Sequence, residues 1–166
     1  MQFAFTDYGD LMNLTKKLEY MGKQARHTRP VMSRISLDMM EIEKKVFASN
    51  GRRGGGSWAK LKPSTVRWKG NTAILRTRGS RPGYDSGKDY LFKSLTVKGA
   101  KYSVNVVTNN SVTFGTTRPA AVVHQTGSVR NNTPARPFIK FTKLDQVRWD
   151  RWILDHVTEN FGDRRR

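Results

Sequence analysis

The sequence contains no cysteine. That removes disulfides, thiolate-held zinc and thiol nucleophiles together, and leaves packing or oligomerisation to hold the fold. Long apolar runs are missing as well: none approaches the roughly 18 residues that span a bilayer, so no membrane partner is expected. The start, MQFAFTDYG, has no basic region, apolar core or small-residue cleavage site, and a secretory leader is not expected. Acidic residues are scarce, with 13 Asp and Glu against 31 Lys and Arg, a formal net charge of +18. Hydrophobic residues make up only 36% of the chain, yet four Trp, five Tyr and eight Phe supply the bulky side chains that a wholly disordered chain lacks.

A chain of 166 residues is expected to form one domain, 1–166, with a modest core. Its charge is concentrated rather than even. Between residues 51 and 90, Arg52, Arg53, Lys60, Lys62, Arg67, Lys69, Arg76, Arg78, Arg81 and Lys88 face only Asp85 and Asp89, and Arg164–Arg166 form a second cluster. Such a balance points to a polyanionic partner, either nucleic acid or an acidic protein surface.

Read in order, Phe3 and Phe5 permit a short strand or an apolar arm. Leu11, Leu14, Leu18, Met21 and Ala25 then recur at three and four residues, the mark of a helix with one apolar face, which Asp7 or Asp10 would cap. Pro30 suits the first turn of a second helix, in which Ile35, Met39, Ile42 and Val46 share a face. The two helices form either an antiparallel pair or one bent rod. Asn50-Gly51 stops the second, GRRGGGS is a basic loop, and Ser64 or Thr65 would cap a short helix that ends at Gly70. Residues 76–88 have no apolar period and read as a loop. From residue 91 to 141 strands are expected, at Leu95–Val97, Tyr102–Val107 and Val112–Phe114, joined as a meander through Gly99 and Asn109-Asn110. Leu144–Phe161 reads as a terminal helix with Trp149, Ile153 and Val157 at four-residue steps. Helices, then strands, then a helix give an α+β class with N-terminal amphipathic helices and a mainly antiparallel sheet.

Chemical machinery is not apparent. The glycine-rich loop lacks the Gly-Lys-Ser/Thr ending of a phosphate loop, so its glycines are read as turn material. His27, His124 and His156 have no second ligand at helical spacing, no metal is expected, and no cofactor is implied. Asp150 and Asp155, flanked by Arg148 and Arg151, read as ion-paired surface. His124 is read as a hydrogen-bonded histidine in a packed turn rather than as one member of a Ser-His-Asp set, since no nucleophile elbow accompanies it. A small nuclease or peptidase remains the enzymatic alternative, and a sequence-nonspecific nucleic-acid-binding protein, with basic loops interleaved by Trp58, Trp68 and Tyr84, the binding alternative.

The most distinctive stretch is Val112–Phe141, VTFGTTRPAAVVHQTGSVRNNTPARPFIKF. Its Phe114-Gly115-Thr116, His124-Gln125-Thr126-Gly127 and Pro134-Ala135-Arg136-Pro137-Phe138 elements resemble those of the phage virion morphogenesis, or tail completion, family. Upstream, Trp58-Ala59-Lys60-Leu61-Lys62-Pro63-Ser64-Thr65, Ile74-Leu75 and Leu91-Phe92-Lys93-Ser94-Leu95 follow in the same order as that family's motifs. Two positions depart from the pattern: Thr77-Arg78-Gly79 opens a longer basic loop, and Pro119-Ala120-Ala121 stands where an aromatic-alanine pair is common.

The resemblance implies a non-enzymatic virion protein, made in the host bacterial cytoplasm and placed at the neck or proximal tail. It implies a homo-oligomeric, hexameric ring around the DNA channel, with neck, head-completion and tail-tube proteins as partners. Trp58, Gly115, His124, Gln125, Gly127, Pro134, Arg136, Pro137 and Phe138 are the expected subunit-contact or packing residues. Arg136, fixed between two prolines, would present its guanidinium to a carboxylate. Arg52, Arg53, Arg76, Arg78, Arg81 and Lys88 are the expected contacts to packaged DNA or to an acidic partner.

Overall fold

The computed structural model describes residues 8–70, 72–75 and 89–158. In order these form α1 (Tyr8–Arg26), α2 (Arg29–Ala48), a 3-10 turn (Arg52–Gly54), α3 (Pro63–Lys69), α4 (Tyr90–Thr96), β1 (Ser103–Val107), β2 (Val112–Thr116), α5 (Ala120–Thr126) and α6 (Lys143–Thr158). The class is α+β, with N-terminal helices, a C-terminal helix and a sheet that is antiparallel but only two-stranded among the described residues. The possible first strand at Phe3–Phe5, the Asp7 cap, the loop 76–88 and the RRR tail lie outside the described residues.

α2 is the element on which the rest is laid. Val31, Ile35, Ile42, Val46 and Phe47 are buried along it, on the face that the spacing of Ile35, Met39, Ile42 and Val46 marks out. They meet Trp58, Ile74, Leu91, Leu95, Ala121, Phe138 and Trp149 in one core. Pro30 takes the first turn, where its missing N–H is no loss. The helix stops at Asn50 and Gly51, both at positive φ, and Gly51 lets the Trp58 indole approach so closely that a β-carbon there would stand 2.5 Å from it.

The β1–β2 hairpin lies across α2 and α4, with Ser103 opposite Thr116 and Val107 opposite Val112. Polar pins fix its register: Ser36 donates to Asn105 at 2.6 Å, Ser94 to Thr116 at 2.8 Å, and Thr28 to the carbonyl of Asn109. Asn109-Asn110 turns the chain, as its residue types predict.

Four expectations are corrected. Leu95–Val97 is no strand; Leu95 and Thr96 end α4, where Leu91, Ser94 and Leu95 are buried at helical spacing, so burial on a helix face overrides local β-propensity. The meander is therefore a single hairpin, and the stretch holding His124 is a short helix rather than a turn. Neither Ser64 nor Thr65 caps α3: Pro63 occupies its first turn, and Lys62, in extended backbone, is the capping position. α1 packs on α6.

Candidate functional site

The Val112–Phe141 stretch folds into a latch. α5 ends at Gly127, whose φ of 80° and ψ of 173° lie in a region essentially reserved for glycine. A β-carbon there would also stand 2.9 Å from the backbone nitrogen of Ala135. The chain makes a small excursion closed by the Ser128–Thr133 bridge and returns through Pro134–Phe138 alongside α5. The N–H of Arg136 donates to the His124 carbonyl at 2.7 Å. Gln125 completes the pairing with its side chain: its Oε1 accepts the N–H groups of Phe138 and Ile139 at 3.0 and 3.2 Å, and its Nε2 donates to the Ile139 carbonyl at 3.0 Å. A primary amide carries both a donor and an acceptor, so it can stand in for a peptide unit of a neighbouring strand.

The return segment holds a second piece of chain. Trp58 donates its indole N–H to the Pro137 carbonyl at 2.8 Å, and its ring meets Phe47 edge-on at 5.4 Å. Arg136 donates from Nε to the Ala59 carbonyl at 3.0 Å and from Nη2 to that of Lys60 at 3.4 Å. Phe138 is 1% exposed. Trp58, His124, Gln125, Gly127, Arg136, Pro137 and Phe138 are thus brought together within one chain, Trp58, Arg136 and Phe138 buried, His124, Gln125 and Gly127 half-buried and Pro137 exposed. The Arg136 guanidinium is turned inward, 6% exposed, with its pKa lowered by burial; it is not the outward fork that two flanking prolines suggest. Pro134 stands apart, lining an open concavity of about 550 Å³ with Lys62, Gly127 and Val129. Gly115 pairs with Val104 on the hairpin, and nothing lies within 4 Å of where its β-carbon would be.

His124 is half-buried, and its Nδ1 has no hydrogen-bond partner among the described residues. Burial, then the positive charges of Arg136, Arg118 and Lys69, lower its pKa and hold the ring neutral. The other two histidines meet each other instead, His156 Nε2 lying 3.1 Å from the His27 carbonyl oxygen. Among the described residues, no three His, Asp or Glu side chains gather as metal ligands would.

Of the expected anion contacts, Arg52 is exposed at the 3-10 turn, while Arg53 is bound to Asp145 at 2.6 Å and is not held out to a partner. Arg76, Arg78, Arg81 and Lys88 lie outside the described residues. Arg148 reaches Asp38 at 2.5 Å and Asp145 at 3.0 Å, so its ion pairs are not made with Asp150. Asp145 and Glu43 are two buried carboxylates that motif reading misses. Asp145 has a local signal: Thr142 and Asp145 form a reciprocal capping box at the start of α6, with the Thr142 N–H donating to Asp145 at 2.9 Å. Burial acts to raise the Asp145 pKa, but hydrogen bonds from Arg53 and Thr142 outweigh it and hold the group at about 2. Glu43 has no such signal. It is 0% exposed, neither oxygen has a partner among the described residues, and burial pushes its pKa up to about 8.

Two surface features remain. α1 has no buried side chain between Met12 and Arg26, and the apolar stripe that defines it is only partly covered: Leu14 and Met21 are half-buried, but Leu18 is 57% exposed. On α6, Leu144, Val147 and Leu154 are exposed on the side opposite Trp149. The second feature is charge. Residues 44–144 hold twenty Lys and Arg against two Asp, the whole net charge of +18, whereas the rest of the chain holds eleven of each sign.

Compared with known proteins, residues 10–158 match the model of the phage virion morphogenesis family. No curated protein and no solved structure matches the chain.

Proposed function

Because the chain belongs to the phage virion morphogenesis family, and therefore serves in building a phage virion, we propose that it is a structural protein that completes the tail or joins it to the head. In this reading it acts as a single domain without catalysis, in a homo-oligomeric ring at the neck or proximal tail, six copies surrounding the DNA channel. Neck, head-completion and tail-tube proteins are its neighbours. The observation that carries the reading is the pair of uncovered apolar stripes on α1 and α6. A stripe whose Leu18 is 57% exposed, and a second whose Leu144 is 78% exposed, are surfaces that a lone subunit leaves in water at a cost of about 25 cal/mol for each Å². The occupant is a second copy of the chain, for an electrostatic reason. α1, and α6 from Asp145 on, belong to the part of the sequence in which acidic and basic residues balance, so copies meeting there avoid the repulsion between their basic halves.

The latch does not form this surface, since Arg136 and Phe138 are buried within the chain. Leu18→Glu combined with Leu154→Glu tests the proposal. Both positions are exposed, so the variant should fold with an unchanged circular dichroism spectrum. Expected are the loss of the oligomer in light scattering and, in complementation, separate heads and tails. A variant that assembles and joins heads to tails like the parent chain overturns the reading.

A further inference from the structure

The basic half of the chain has a definite centre. Where α4 turns into β1, the rings of Tyr90 and Tyr102 meet edge-to-face at 5.7 Å. The Lys101 ammonium lies 5.3 and 5.1 Å from their two centres, and the Arg118 guanidinium 5.5 Å from that of Tyr90. Tyr102 adopts a φ of 69°, a left-handed conformation that bulky residues avoid. Its carbonyl accepts the Thr117 N–H at 2.9 Å, closing the open end of the hairpin. Lys98 and Lys101 are exposed on the same turn. Asp89, the one described acidic residue between residues 44 and 144, is buried, so the exposed charge of this half is of a single sign among the described residues.

We propose that the Tyr90–Lys101–Tyr102–Arg118 cluster, with Lys98 beside it, is a sequence-independent contact for the phosphate backbone of duplex DNA. Duplex DNA presents about one negative charge per 1.7 Å of its axis, and lysines on a fixed turn meet such a lattice as point charges without needing a shaped partner. Tyrosines between the cations add hydroxyl donors and flat surface for the sugars. An acidic protein surface fits less well, because rigid guanidinium forks are what match carboxylates, and two fixed forks of this half are already engaged, Arg136 by carbonyls and Arg53 by Asp145. Of the described basic residues in this half, those on the long helices α2 and α6 are Lys44 and Lys45 at the end of the first and Lys143 at the start of the second, too few and too scattered to make a basic helix face that would enter a groove, which makes the contact one of backbone rather than base. The inference goes beyond the ring and does not depend on it, since the isolated chain tests it and virion phenotypes do not enter.

The experiment measures the affinity of the full chain for a labelled random-sequence duplex of about 30 base pairs, by fluorescence anisotropy, between about 50 and about 300 mM salt. The variant Lys98→Gln/Lys101→Gln/Arg118→Gln is compared with Lys16→Gln/Lys17→Gln/Lys23→Gln on α1, which removes the same charge from the balanced part. Expected is a loss of about tenfold in affinity at about 100 mM salt for the first variant, with the slope of log K against log salt reduced by about 3, and a change within about twofold for the second. Equal losses in the two variants, or no salt-dependent binding by the parent chain, overturn the proposal. So does displacement of the duplex by poly-glutamate at equal charge concentration, which would assign the face to an acidic protein.

Discussion

Glu43 shows how one residue sets a pH dependence for the whole fold. Its carboxyl is buried without a hydrogen-bond partner among the described residues, and its pKa is raised from 4.5 to about 8. Below pH 4.5 the group is protonated folded and unfolded alike, and ionisation changes nothing. Between 4.5 and about 8 the unfolded chain releases the proton while the folded chain retains it, so stability falls as pH rises across that window. At pH 7 the deficit is roughly 3 kcal/mol. Glu43→Gln should raise the urea midpoint at pH 7, leave it nearly unchanged at pH 4.5, and flatten the curve between; parallel pH profiles for the two proteins would refute this. Neither the burial nor the missing partner is visible in the sequence, where Glu43 reads as one more charged residue on an amphipathic helix. Gln125 was legible only as a motif member. That its amide replaces a strand becomes evident when Ile139 is seen beside it.

At the scale of elements, the sequence located α1, α2, α3 and α6 through their spacing and their Pro and Gly punctuation, and the hairpin through Asn109-Asn110. It failed at α4 and α5, each seven residues long, too short for a helical period to separate from alternation. Of the candidate site, the members were legible from their order along the chain, but not the direction in which Arg136 points, because that depends on carbonyls of Ala59 and Lys60 more than 70 residues away in sequence. The start of α6 is where a prediction belongs. Asp145 joins its capping box to two arginines, so Asp145→Asn removes the cap's charge and leaves Arg53 and Arg148 underpaired. The expected cost is about 3 kcal/mol or more by denaturant unfolding. In the parent chain this contribution is present above pH 3.8 and lost as pH falls through about 2. An Asn variant as stable as the parent at neutral pH would show that the cluster contributes nothing net.

For the molecule as a whole, the partition of charge is the governing feature. A net charge of +18, confined to about a hundred residues of chain, repels itself within one folded unit. Raising salt from about 0.05 to about 0.5 M shortens the screening length to a few ångströms and should lift the melting temperature by about 3–5 °C. The Arg53–Asp145 pair, whose carboxylate is fully buried, is screened far less. A melting temperature that is flat or falls with salt would mean that ion pairs, not repulsion, dominate. The latch has its own consequence, one of timing during synthesis. Trp58 and Pro137 are joined across 79 residues and Phe138 meets Phe47 across still more chain, so the core cannot close while the ribosome is still adding the hairpin and α5. Until residue 138 emerges, the core on α2 lacks Phe138 and Trp149 and is only partly covered, and a chain broken off before that point is one the host's proteases would find open.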